Sequence, residues 1–116
     1  MSYWGSGPAD CDYDFDAVGA YIYLIKERMF DDMANVLAKE HPEQGIVASL
    51  VCLRLIGERY PKSLSVHFRN NDFARVKAAF YEWYSMAKPN LPPSYRDVIL
   101  ENAEREFALF QERILN

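Results

Sequence analysis

The chain of 116 residues has few of the residues from which small proteins build special sites. It contains two cysteines, too few for a disulfide framework, and neither of its two histidines has a cysteine, histidine or carboxylate at metal-ligand spacing. Its sequence shows no glycine-rich phosphate loop and no nucleophile elbow. We therefore expect no catalytic residue, no metal and no cofactor, and a binding function is favoured over an enzymatic one.

The chain also lacks a long hydrophobic run. The longest, from Gly45 to Leu53, is well short of the roughly 20 residues that cross a membrane, and Arg54 follows it. The N-terminus has no basic segment followed by an apolar one, as a secretory signal would have. These absences and the small number of thiols predict a cytoplasmic protein without a membrane segment.

The residues that are present suit one domain spanning 1–116. Hydrophobic residues make up 50% of the chain and aromatic residues 15%, enough for a core without disulfides or metals. Cys52 lies in an apolar run and is expected in that core, whereas Cys11 is expected to be an exposed thiol.

Apolar residues recur at helical spacing in four segments. These segments lie at about 14–40, 43–59, 72–88 and 94–115. Asp14 or Asp16 should cap the first, which could divide at Phe30–Asp32. The second is apolar on nearly every side and should be the buried central helix. We predict an all-α fold in which an irregular N-terminal arm at 1–13 precedes a compact bundle of four to five helices. The packing of the bundle could be regular or irregular.

The core faces of the later helices follow from the same spacing. In the third helix they are Phe73, Val76, Phe80, Trp83 and Ala87, and Asn70, Asn71 and Asp72 supply its cap. In the fourth they are Tyr95, Val98, Ile99, Ala103, Phe107, Phe110 and Ile114, and Ser94 with Asp97 forms a capping box.

The connection at 60–71 is ambiguous. Leu64, Val66 and Phe68 alternate with polar residues, as in a strand. Because a lone strand has no partner here, we expect an irregular segment that inserts these three side chains into the core.

The first sixteen residues, the arm with the start of the first helix, carry the net charge of −4. Four aspartates alternate there without a lysine or arginine: Asp10, Asp12, Asp14 and Asp16. A calcium loop would need Gly and Glu at fixed positions. Those positions hold Phe15 and Tyr21 in one register and Ala17 and Tyr23 in the other. Helix capping by a solvated arm is one interpretation, and an acidic patch that meets a basic partner is the sharper one. The predicted contact residues are Trp4, Asp10, Asp12, Tyr13, Asp14 and Asp16.

A basic segment from Arg54 to Lys77 offers an alternative surface. Its cations are interleaved with aromatic residues, as at a nucleic-acid interface. The candidate contacts are Arg59, Lys62, Arg69, Arg75 and Lys77. Salt bridges within the molecule are the favoured use of these cations, so nucleic-acid binding is the alternative function.

The histidines and the helix aromatics are expected to be structural. His41 and His67 have no partner at metal-ligand spacing. Trp83 should be in the core, while Tyr81, Tyr84 or Tyr23 could stay at the surface, where tyrosine favours binding.

The N-terminal residues Tyr3-Trp4-Gly5-Ser6-Gly7, with an Asp-rich stretch leading to Asp16-Ala17, resemble an uncharacterised bacterial family of small proteins. Members of that family begin Trp-Gly-x-Gly and continue through acidic residues into a helix. The resemblance covers about the first twenty residues and departs at Pro8-Ala9, where an aromatic residue would stand. It implies no functional residue.

In size, acidity and lack of a catalytic motif, the whole chain resembles the anti-CRISPR proteins of phages and mobile elements, and also toxin-immunity proteins. This resemblance implies a stoichiometric inhibitor that covers a surface of a CRISPR effector complex or its nuclease. The expected partner is thus another protein, with nucleic acid as the alternative.

Overall fold

The computed structural model describes residues 4–5, 11–38 and 43–115, with only the backbone of Asp12. Within these ranges the chain forms five α-helices and thereby confirms the all-α bundle. They are α1 (Asp12–Leu37), α2 (Ile46–Arg59), α3 (Pro61–His67), α4 (Asn70–Ala87) and α5 (Pro93–Phe110). A 3-10 turn at Lys88–Asn90 precedes α5, and a π-helical turn at Gln111–Leu115 follows it. No helix in the described ranges is long and apolar enough to span a bilayer.

Helix α1 is continuous and begins earlier than the sequence predicts. Cys11 is extended and precedes the first turn, where its carbonyl accepts a hydrogen bond from the Phe15 amide at 2.9 Å. Asp14 and Asp16 therefore lie inside the helix, and the prediction that one of them caps it is wrong. The division that the sequence allows at Phe30–Asp32 does not occur either, because α1 is one unbroken helix whose buried residues continue past that point to Met33 and Val36.

Helix α2 is central, since it contacts α1, α3, α4 and α5. Its cap is the Gln44 side chain, whose Oε1 accepts the amide hydrogens of Ile46 and Val47 at 2.6 and 3.2 Å. The prediction of a buried central helix therefore holds for the position of α2 but not for all of its sides. Leu50 and Leu53 face the core, but one side of the helix remains in solvent.

The two cysteines have the opposite environments to those predicted. Cys11 is buried with 2% of its surface exposed, whereas Cys52 is exposed on the outer side of α2. Apolar neighbours in sequence predicted a core position for Cys52, but the rotation of the helix turns it outward.

The connection at 60–71 contains a helix, neither a strand nor an irregular segment. Pro61 stops α2 and then occupies the first turn of α3, a position where its missing N–H costs nothing. Leu64 and Phe68 are buried because a spacing of four residues places them on the same side. Val66 points outward, contrary to the prediction.

The predicted core face of α4 is confirmed, since Phe73, Val76, Phe80, Trp83 and Ala87 are all buried. The helix begins at Asn70, so Asn70 and Asn71 lie inside it and do not cap it as predicted. Asp72 contributes to the cap by accepting the Arg69 amide hydrogen at 3.0 Å.

The predicted core face of α5 holds only in its later turns. Ala103, Phe107 and Phe110 are buried, whereas Tyr95 and Val98 are exposed. The Ser94–Asp97 capping box is also absent, because α5 already begins at Pro93 and has no side-chain cap.

Candidate protein-binding surface

The side of α1 that faces solvent carries a second apolar stripe. Successive residues of an α-helix are rotated by about 100°, so residues three, four, seven or eight apart lie on similar sides. Tyr13, Tyr21 and Leu24 share the solvent side and are 72%, 64% and 60% exposed. The small Ala17 and Ala20 lie between them. We call these five residues the outer face of α1.

Carboxylates border the outer face of α1 at both ends. Asp14 and Asp16 are exposed beside Tyr13, and Glu27 and Asp31 are exposed beyond Leu24. Arg28 is the exposed cation of this region, and its Nε lies 3.5 Å from Asp32 Oδ2 in an ion pair. The border is therefore strongly negative, and it complements lysine and arginine.

The predicted contact residues divide between different sides of the molecule. Tyr13, Asp14 and Asp16 belong to the outer face of α1 and its border. Trp4 does not, since its ring packs edge-on against Phe15 at 5.9 Å between centroids. Phe15 is two residues from Tyr13, which places it on nearly the opposite side of the helix. Asp10 and the side chain of Asp12 lie outside the described residues.

Sequence reasoning missed Tyr21 and Leu24 as part of this surface. Their spacing from Tyr13 was visible, but the stronger stripe on the inner side of α1 accounted for the helix by itself. Only the packing shows which of the two stripes is buried.

The basic alternative surface is not brought together as one stripe. Arg75 lies over the Phe30 ring of α1 at 4.6 Å, whereas Lys77 lies 6.0 Å from the Phe107 ring of α5. These two cations therefore occupy opposite flanks of α4. Arg59, Lys62 and Arg69 are exposed around α3. Because its cations are divided in this way, the segment does not form one continuous basic surface for a phosphate backbone.

Part of the basic segment forms salt bridges within the molecule. Arg54 is 9% exposed, and its guanidinium contacts Glu58 Oε1 at 3.0 Å and Glu106 Oε2 at 3.3 Å. Arg113 reaches the same Glu58 oxygen at 3.2 Å. Burial alone lowers the pKa of Arg54, but hydrogen bonds and charge from the two glutamates outweigh it and leave the pKa raised. Arg54 therefore stays charged and joins α2 to α5.

This cluster makes stability depend on acid pH. Hydrogen bonds from Arg54 and then Arg113 hold the pKa of the Glu58 carboxyl below its ordinary value of 4.5. The stabilisation is complete above the ordinary pKa and is lost as the pH falls through the lower folded value. Urea unfolding at several pH values should show a steeper loss of stability below pH 4.5 for the natural chain than for Glu58→Gln. Equal slopes would show that Glu58 is not held in this way.

The aromatic residues of α4 are mostly tied to the fold. Trp83 is buried, as predicted, and the Tyr84 hydroxyl donates to the Arg96 carbonyl at 2.9 Å. The Tyr81 hydroxyl donates to Glu104 at 3.2 Å, and its pKa is raised by burial and then by that carboxylate. Tyr23, by contrast, is 58% exposed at the edge of the outer face of α1.

His67, the histidine that the described ranges include, is not part of a site. His67 packs against α1, where its Nε2 lies 2.8 Å from the point a Cβ on Gly19 would occupy. His41 lies outside the described residues. In the described ranges no group of three histidine, cysteine or acidic residues could hold a metal ion. A cleft of about 410 Å³ beside α3 is lined by Phe68, Arg69 and Arg113, but not by His67.

Comparison of the chain with protein-family models, curated proteins and solved structures finds no match. Function is therefore inferred from the surface of the molecule itself.

Proposed function

We propose that this protein is a non-enzymatic binding module that holds a partner protein against the outer face of α1. The observation that carries the proposal is the exposed stripe of Tyr13, Tyr21 and Leu24 inside a border of carboxylates. The partner surface has the complementary chemistry, an apolar centre with lysine and arginine around it.

The two parts of the surface contribute differently to binding. Burial of a leucine such as Leu24 supplies about 1.5–3 kcal/mol, and tyrosines are frequent among the residues that dominate interfaces. Exposed carboxylates such as Asp14 and Asp16 add less affinity, but they speed association with a basic surface and fix its orientation. We therefore expect apolar variants to change dissociation and charge variants to change association.

The proposed activity is inhibition of a bacterial defence system by occlusion. Surfaces that bind nucleic acid are rich in lysine and arginine. The nucleic-acid-binding surface of a CRISPR effector complex or its nuclease thus has the charge that the border of α1 complements. The alternative is that this protein is a toxin-immunity protein, and its partner is then a toxin with a basic surface. The acidic border repels phosphate, so direct nucleic-acid binding is not favoured at this face.

Site-specific photocrosslinking tests the face directly. A photoreactive phenylalanine analogue replaces Tyr21 in one variant and the equally exposed Tyr95 of α5 in another. In host extract, position 21 should give a covalent adduct with one defined protein, and position 95 should not. An adduct only from position 95 would place the interface on another side of the molecule.

A Leu24→Lys variant should weaken capture of that protein by about a hundredfold. The variant removes a leucine that binding buries, and it places a cation against the lysines and arginines of the partner. Surface plasmon resonance with the identified partner measures the change. Val98→Lys is the matched control, since Val98 is also exposed but lies on α5. Its affinity should stay unchanged, and an equal loss in both variants would contradict the proposal.

An activity measurement completes the test. If the captured protein is an effector nuclease, DNA cleavage should fall in proportion to added protein and stop at one equivalent, as expected for occlusion. Catalytic inactivation at far lower amounts would contradict a stoichiometric mode of action.

A further inference from the structure

A second unpartnered apolar face lies on α2. Ala48, Cys52, Leu55 and Arg59 are all exposed and follow one another at intervals of four, three and four residues, so they form one line along the helix. Leu55 is 55% exposed, and the half-buried Val51 and Ile56 flank it. We call this line the outer face of α2.

The outer face of α2 carries no charge over its central turns. Between Glu43 and Glu58 the only side chain with a fixed charge is Arg54, which is buried and forms ion pairs with Glu58 and Glu106. The solvent side of a surface helix normally carries charged and polar residues. A contiguous apolar and uncharged strip of this kind is typical of the centre of an interface.

The charges at the two ends of the strip are opposite in sign. Glu43 is exposed just before α2, while Arg59 and Lys62 are exposed at its other end. Glu58 is exposed beside them, but its carboxylate is already paired with Arg54 and Arg113. Two copies of this helix that pack antiparallel place each Glu43 beside the basic end of the other copy. The outer face of α1 does not allow this, since acids lie at both of its ends and a second copy would be repelled.

We propose that two copies of this chain pair through the outer faces of α2, antiparallel and related by a two-fold axis close to Cys52. In this arrangement Leu55 of each copy covers Ala48 of the other, and the interface is self-complementary, as a two-fold axis requires. The outer faces of α1 stay free, so each dimer presents two partner-binding surfaces.

Molar mass in solution tests the pairing. Light scattering across a concentration series should give about 27 kDa, twice the 13.5 kDa of one chain. Leu55→Lys should raise the dimer dissociation constant more than about a hundredfold, because it buries two unpaired cations at the centre. Leu24→Lys is the matched control: its leucine is equally exposed but lies on α1, and it should remain a dimer. Circular dichroism verifies that both variants stay helical.

The antiparallel register has its own test. Glu43→Lys should weaken the dimer by about tenfold, because two symmetry-related rim pairs turn repulsive. Adding Arg59→Glu and Lys62→Glu to that variant should restore it. A short bis-maleimide should link Cys52 to the Cys52 of the second copy in the natural chain, and Cys52→Ser should abolish the link.

Several outcomes would overturn the pairing. They are a 13.5 kDa species at every concentration, a dimer that survives Leu55→Lys, or a dimer lost in Leu24→Lys. The proposed partner binding is tested separately, since Leu55→Lys should keep full affinity per chain for the protein captured through α1. The two proposals can therefore fail independently.

Discussion

Phe80→Ala is expected to lower the free energy of unfolding by about 3–5 kcal/mol, a large part of the stability of a small domain. Phe80 is completely buried and its ring lies 5.6–6.2 Å from those of Trp83, Tyr84 and Phe107. Removal of the ring leaves a cavity between α4 and α5 that these large neighbours can only partly fill. Urea unfolding followed by circular dichroism measures the loss.

The matched control for this variant is Tyr95→Ala. Tyr95 is an aromatic residue of similar size, but 59% of its surface is exposed, so its removal should cost no more than about 0.5 kcal/mol. If the two variants were equally stable, Phe80 would not be at the centre of the core.

Arg54→Ala is expected to lower the free energy of unfolding by about 2 kcal/mol, less than the roughly 3–5 kcal/mol for a fully buried ion pair, because both glutamates are partly exposed. The variant removes the cation that contacts Glu58 and Glu106 and so joins α2 to α5. Thermal and urea unfolding of the natural chain and the variant measure the difference.

Arg54→Met separates the charge from the packing. Methionine keeps most of the apolar volume of the arginine stem. It also removes the buried Nε of Arg54, which has no hydrogen-bond partner in the described part of the chain. Arg54→Met should therefore cost less than Arg54→Ala. Equal losses would mean that the ion pairs, and not the packing of the stem, account for the whole effect.

The sequence predicted those helices whose apolar residues have one dominant side. The stripe of α4 from Phe73 to Ala87 is confirmed residue by residue, because it has no competing apolar side. The prediction was wrong at α3, where the alternation of Leu64, Val66 and Phe68 with polar residues concealed a helix of seven residues. Pro61 was the signal that could have revealed it, since proline favours the first turn of a helix.

The candidate surfaces were harder to predict for a related reason. Both α1 and α2 contain more apolar residues than one buried side can hold. The sequence shows that Leu24, Cys52 and Leu55 are apolar, but only the packing of neighbouring helices decides which side each occupies. Periodicity therefore predicts the helices, whereas the tertiary packing determines which apolar stripes stay exposed.

The two sides of α1 are under different physical constraints. A substitution at the buried Ile22 or Met29 disturbs the core, whereas one at Tyr21 or Leu24 changes the stability by only about 0.5 kcal/mol. The outward residues can therefore diverge rapidly while the scaffold persists. As the recognition surface proposed above, this side of the helix can follow a changing target through a few substitutions while the bundle stays the same.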